Sequence, residues 1–145
     1  MKTSTVAPVP AHFWIVGITS LIWNAFGAFD YFMTVARNRA YRAHFPPEMV
    51  SLINEFPDAV IVAWAVGAWG AAIGSILLLA RNRFAVQAFG LSLLGLVANT
   101  GYILALGIPK AMMTPAMIAM TITVWIVAVF LLLYSIRMRR AGLLH

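Results

Sequence analysis

Four stretches of the chain are almost continuously apolar: Phe13–Val35, Ala59–Ala80, Ala85–Gly107 and Thr114–Ile136. Each has the roughly 20 residues that a helix needs to cross a bilayer core. Asp30 is the only charged residue inside any of them. Hydrocarbon offers backbone groups no water to bond, so a lone segment must satisfy them internally, which means helix rather than strand. The pattern predicts an all-α integral membrane protein, an antiparallel four-helix transmembrane bundle. The first run is too long for the apolar core of a cleaved signal peptide, and no clear small-residue cleavage site follows it, so it is read as a span.

The polar breaks are short. Arg37-Asn38-Arg39 ends the first run, Arg81-Asn82-Arg83 the second, and Gly107-Ile108-Pro109-Lys110 the third; Arg137, Arg139 and Arg140 follow the fourth. Ala-Arg-Asn-Arg occurs at 36–39 and again at 80–83, but the flanking runs do not align, so no internal repeat is read from it. Residues 1–12, with Pro8 and Pro10, are expected as a disordered tail, 13–136 as the transmembrane domain and 137–145 as a basic C-terminal tail. The one sizeable connection, 36–58, carries Pro46-Pro47-Glu48, a proline-then-acid helix start. Met49, Leu52, Ile53 and Phe56 then share one face, opposite Glu48, Ser51 and Asn54. This predicts a short interfacial helix at about 47–56, with a lid over the bundle as the other reading. Pro57-Asp58 opens the second span.

Composition sharpens this picture. With 63% hydrophobic and 10% charged residues, against about 25% charged in a soluble domain, the chain could not cover its own surface in water. Membrane lipid is therefore its first partner. The net charge of +6 comes from clusters at the ends of apolar runs, with no interleaved basic and aromatic stripe, which excludes nucleic acid as partner. On one side lie Lys2, Arg81, Arg83, Arg137, Arg139 and Arg140; on the other lie Arg37, Arg39, Arg42 and Lys110. The excess places both termini in the cytoplasm. Cysteine is absent, which removes disulfides, thiolate nucleophiles and Cys-ligated metals.

Helices in lipid associate through small residues and a few hydrogen bonds. Gly67, Gly70, Ala71 and Gly74 in the second span, and Gly90, Gly95, Ala98 and Gly101 in the third, are expected at helix contacts. Gly17, Ser20, Asn24, Gly27, Ala28 and Tyr31 line one stripe of the first. Bundle packing and a homodimer seam are both open.

Chemistry has few candidates. A carboxylate within a span is costly and marks a site by default. Counting depth along the helices puts Asp30 level with Tyr102, Asn24 deeper, and Asn99 and Thr121 between. These five are the candidate substrate-binding residues, lining one pocket. The competing readings are that Asp30 is interfacial and pairs with Arg37, and that the asparagines join helix to helix. Trp14, Trp64 and Tyr134 fit the interfacial belt, while Trp23, Trp69 and Trp125 are expected to pack inside the bundle. His12, His44 and His145 stand at separate ends, so neither a metal nor a cofactor is expected. No nucleophile has a base beside it, and no enzyme is read here.

The string Leu21-Ile22-Trp23-Asn24-Ala25-Phe26-Gly27-Ala28-Phe29-Asp30-Tyr31 resembles small bacterial four-helix membrane proteins that commonly carry the automatic label "sugar transporter". The similarity runs on through Phe45-Pro46-Pro47-Glu48 and Phe56-Pro57 to Ala63-Trp64-Ala65-Val66-Gly67-Ala68-Trp69-Gly70, about half the chain. The resemblance implies a bacterial inner membrane and a role linked to solute movement, and no catalytic residue. The leading expectation is a permease-like protein for a small polar solute such as a sugar, oligomeric or part of a larger complex. Its rivals are a non-transporting accessory subunit and, more remotely, a proton-coupled exporter like the small multidrug resistance proteins.

Overall fold

The structure, a computed structural model, describes residues 8–145. The N-terminal tail expected at 1–12 falls mostly outside them, as does Lys2. Among the described residues the elements are α1 (Ala11–Val35), α2 (Arg39–Arg42), α3 (Pro47–Asn54), α4 (Asp58–Leu79), α5 (Ala85–Leu106), a 3-10 turn (Lys110–Met112) and α6 (Pro115–Arg140). Four of these, α1, α4, α5 and α6, are long and apolar enough to cross a membrane. Two boundaries differ from expectation. Ala11 and His12 are already helical, and α6 runs on through Arg137, Arg139 and Arg140, which therefore do not form a tail. Basic side chains suit a helix C-terminus, where they oppose its negative dipole end.

The local stops follow a common rule. Arg37 and Arg81 both sit in the left-handed region, at φ 55° and 57°. At each, paired backbone bonds close the helix: Asn38 N–H to Met33 O with Arg37 N–H to Thr34 O, and Asn82 N–H to Leu77 O with Arg81 N–H to Leu78 O. These are Schellman caps. The following asparagine then accepts from a new backbone N–H: Asn38 Oδ1 from Tyr41 (3.0 Å) and Asn82 Oδ1 from Phe84 (2.8 Å). The repeated Ala-Arg-Asn-Arg is thus one local device used twice, stopping one helix and starting the next turn. Gly142, at φ 76°, closes α6 in the same way.

Burial on α1 is the reverse of what water would select. Gly17, Ser20, Asn24 and Ala28 are buried, while Ile15, Ile18, Ile22, Phe26 and Phe29 are exposed. Large apolar side chains facing out and small or polar ones facing in is an arrangement stable only in lipid. By length, composition and this inverted burial, the chain is a multi-pass membrane protein.

Packing runs in chain order, α1 on α4, α4 on α5 and α5 on α6, with α4 and α5 most closely joined. Their seam is built on glycine. A Cβ on Gly95 would lie 2.5 Å from Ala63 O and 2.6 Å from Gly67 N; one on Gly70 would meet Ser92 at 3.2 Å, and one on Gly74 the Phe89 ring at 2.8 Å. The small-residue faces expected for α4 are therefore spent within the bundle. Gly90 and Gly101 are different: a Cβ on either would meet nothing within 4 Å, so neither takes the part in this seam expected of it.

At the end of the bundle carrying the described termini, Phe13, Leu78, Ala85, Phe89, Leu131, Met138 and Leu144 form one core cluster. The segment after α6 is tied there. His145 N–H donates to Arg81 O (2.9 Å), Arg83 N–H to His145 O (3.2 Å), and Arg81 Nε to Leu143 O (3.1 Å). His12 Nδ1 and Tyr134 Oη, 2.8 Å apart, join α1 to α6 at this same end. Further along, α1 and α6 leave a gap of about 300 Å³ lined by Ile15, Thr19, Trp23, Thr123, Val127 and Phe130 among others.

Candidate functional site

A cavity of about 720 Å³ lies between all four long helices. Its lining runs from Phe89 and Leu131 of the core cluster to Asp30 and Tyr41. Its walls are mostly apolar and aromatic, with Trp23, Phe26, Phe29, Tyr41 and Trp64 prominent. It also shares Trp23, Val127 and Leu131 with the α1–α6 gap, so the two spaces adjoin.

Asp30 is fixed by Tyr41, whose hydroxyl donates to Asp30 Oδ1 at 2.6 Å. Chain geometry brings this about. The left-handed Arg37 turns the backbone at the end of α1, Asn38 starts α2, and Tyr41, three residues on, reaches back toward the preceding helix. Its ring meets Phe29 edge-to-face at 5.9 Å. Arg42 clamps the turn by donating from Nε to Thr34 O (2.9 Å) and from Nη1 to Asn54 Oδ1 (2.7 Å). Burial, then the hydrogen bond to Asp30 and its negative charge, push the Tyr41 phenol up from its ordinary 10.0 to about 12.

Deeper in the cavity, Asn24 Nδ2 donates to Ser75 Oγ (2.9 Å) and Ala71 O (3.3 Å). Asn24 is thus helix-joining glue and cavity wall at once. Asn99 also lines the cavity, and its Oδ1 is buried with no hydrogen-bond partner among the described residues. A buried acceptor left bare costs free energy that a donor from a ligand or water would recover. Ser92, on the wall between them, commits its hydroxyl to Gly67 O at 2.6 Å.

Three of the five residues expected in one pocket are therefore together: Asp30, Asn24 and Asn99. Two are not. Tyr102 packs against Phe56, ring centroids 5.7 Å apart, and does not line the cavity. Thr121 is exposed and bonds back to Met117 O within α6. Both share the right depth, but on a helix depth does not fix the direction faced. The pairing expected between Asp30 and Arg37 is replaced by the Tyr41 contact. Among the tryptophans, Trp69 is 45% exposed rather than packed inside, Trp23 forms cavity wall, and Trp64 lines the cavity with Tyr31 against it at 5.2 Å. Tyr41 is the residue the sequence reading missed. The available signal was an aromatic with a hydroxyl in the first turn after a span ending near a carboxylate.

Compared with protein families, curated proteins and solved structures, the chain matches none.

Proposed function

We propose that this protein is a small-solute membrane transporter, permease-like in character, that holds its solute in the cavity between the four long helices. One observation carries the reading: a space of about 720 Å³ at membrane depth, bounded by all four helices and holding a carboxylate at one end. A subunit serving only to brace a complex has no use for such a volume, since packing to interior density is the default. The helices cross as an antiparallel bundle in a bacterial inner membrane, with α3 lying on the outer interface. Its buried Met49 and exposed Glu48 and Ser51 support that placement. Both termini face the cytoplasm, so the Asp30 end faces outward, in line with the charge distribution. The resemblance of the first two helices to small transporter-labelled membrane proteins points the same way for solute movement. It fits less well for a sugar, because the hydroxyls of Tyr41, Ser75 and Ser92 already donate within the protein.

The absence of cysteine makes the test free of background labelling. Ala68→Cys and Val124→Cys place thiols on the cavity wall; Val62→Cys places one on an exposed face. In reconstituted vesicles a membrane-impermeant methanethiosulfonate should label the two wall positions from either side, because a transporter exposes its site alternately. Val62→Cys should stay unlabelled in lipid. Labelling of the wall positions from one side only would sink the transport reading in favour of an accessory subunit.

A further inference from the structure

The lining of the cavity also constrains what it takes. Among the described residues that line it, Asp30 is the only charged one, and no lysine, arginine or histidine stands with it. An anionic solute would meet an uncompensated negative charge in a low-dielectric space. Among the described residues Asp30 has no cationic partner. One oxygen accepts from Tyr41, and among the described residues no donor reaches the other. An unpaired carboxylate at membrane depth is costly, and a counter-charge relieves the cost. The neutral oxygens lean the same way, because Asn99 Oδ1 is buried and bare. Trp23, Phe29, Tyr41 and Trp64 line the same cavity, side chains whose ring faces attract cations. The remaining wall, from Ala68 and Ala71 to Val124 and Leu131, is apolar and suits a hydrocarbon body.

The access route follows from the adjoining gap. Helices α1 and α6 are joined by His12 and Tyr134 at one end, and beyond that the space between them opens along Thr19, Trp23, Thr123 and Val127 toward the lipid. An amphiphile dissolved in the bilayer would reach the cavity there without passing the Asp30–Tyr41 contact.

We propose that the cavity binds an amphiphilic organic monocation, its cationic centre beside Asp30 and its apolar body reaching the site from the bilayer between α1 and α6. This deepens the transport reading and rests on it, naming the class of solute.

The test uses two nearly isosteric probes of opposite charge, tetraphenylphosphonium and tetraphenylborate, with the full chain in lipid nanodiscs. Phosphonium should bind saturably and borate should not. Asp30→Asn should weaken phosphonium binding by about tenfold or more, the 1.4 kcal/mol of one decade, while Asp30→Glu retains most of it. Both variants are to elute as folded, monodisperse protein; if Asp30→Asn does not, the comparison of Asp30→Glu with the parent and the selectivity for phosphonium over borate still decide. Thr123→Trp, which narrows the α1–α6 gap, should slow phosphonium association severalfold. Equal binding of both probes, or a folded Asp30→Asn that binds like the parent, overturns the proposed class. An unchanged association rate in Thr123→Trp overturns the route through the bilayer. Two-sided labelling of Ala68→Cys without phosphonium binding leaves transport standing and removes the cation. Phosphonium binding with one-sided labelling does the reverse.

Discussion

Adding one methyl group at Gly95 should do more damage than at any other glycine of α5. Its Cβ would lie 2.5 Å from Ala63 O and 2.6 Å from Gly67 N, closer than the 3.0 Å that real Cβ contacts observe. Both obstacles are backbone, so no rotamer change relieves the overlap and α4 must move away from α5. Forcing extra volume into a packed seam costs about 1–3 kcal/mol, and rigid obstacles put this case at the upper end. Separation also weakens the Ser92 Oγ–Gly67 O bond of 2.6 Å, worth about 0.6 kcal/mol if it matches the average for hydrogen bonds between membrane helices. Against this stands the gain of about 1 kcal/mol that alanine brings over glycine inside a helix. The net expectation is a loss of about 2 kcal/mol. Gly90, on the same helix with nothing within 4 Å, supplies the control: Gly90→Ala keeps the propensity gain without the clash. The two variants should therefore differ by about 3 kcal/mol in SDS-titrated unfolding from mixed micelles, followed by tryptophan fluorescence. Equal midpoints would mean that α4 and α5 do not approach as closely as described.

Two further outcomes follow from the connection after α1. The Tyr41 phenol, raised to about 12, keeps its proton in the folded protein when an exposed tyrosine has lost it; the stability tied to that proton is complete below pH 10.0 and disappears as pH rises through about 12. Ultraviolet phenolate titration of the parent minus Tyr41→Phe should show this late component, and a difference spectrum titrating near 10 would refute the Asp30 contact. Arg37→Gly should leave the protein equally stable or up to about 1 kcal/mol more stable, since glycine adopts φ 55° without the penalty on other residues. A marked loss in a thermal melt would show that the exposed Arg37 side chain carries a role of its own.

Much of this architecture could be read from local pattern. The four apolar runs, the starts at Pro47 and Asp58, and most of the small and polar stripe of α1 appear where the sequence placed them, whereas Gly27 of that stripe is exposed with nothing within 4 Å. Their causes act within a few residues or along one helix face: bonding of the backbone in lipid, proline at a first turn, and close approach through small side chains. Rotation about each helix axis and the path of the chain between helices are another matter. Tyr102 and Thr121 have suitable depth but face elsewhere, and Gly101 faces open space while Gly95, six residues earlier, meets the backbone of α4. Asp30 finds Tyr41 because a left-handed arginine folds the connection back over the end of α1, and no hydropathy pattern encodes that reversal. The gap between α1 and α6 is likewise a collective result. Glycine seams draw α4 against α5, whereas α6 has no glycine and meets α1 chiefly where the terminal cluster and the His12–Tyr134 contact hold them. Helix length and apolarity are written one segment at a time, but an open seam exists only as the difference between contacts that close and contacts that do not.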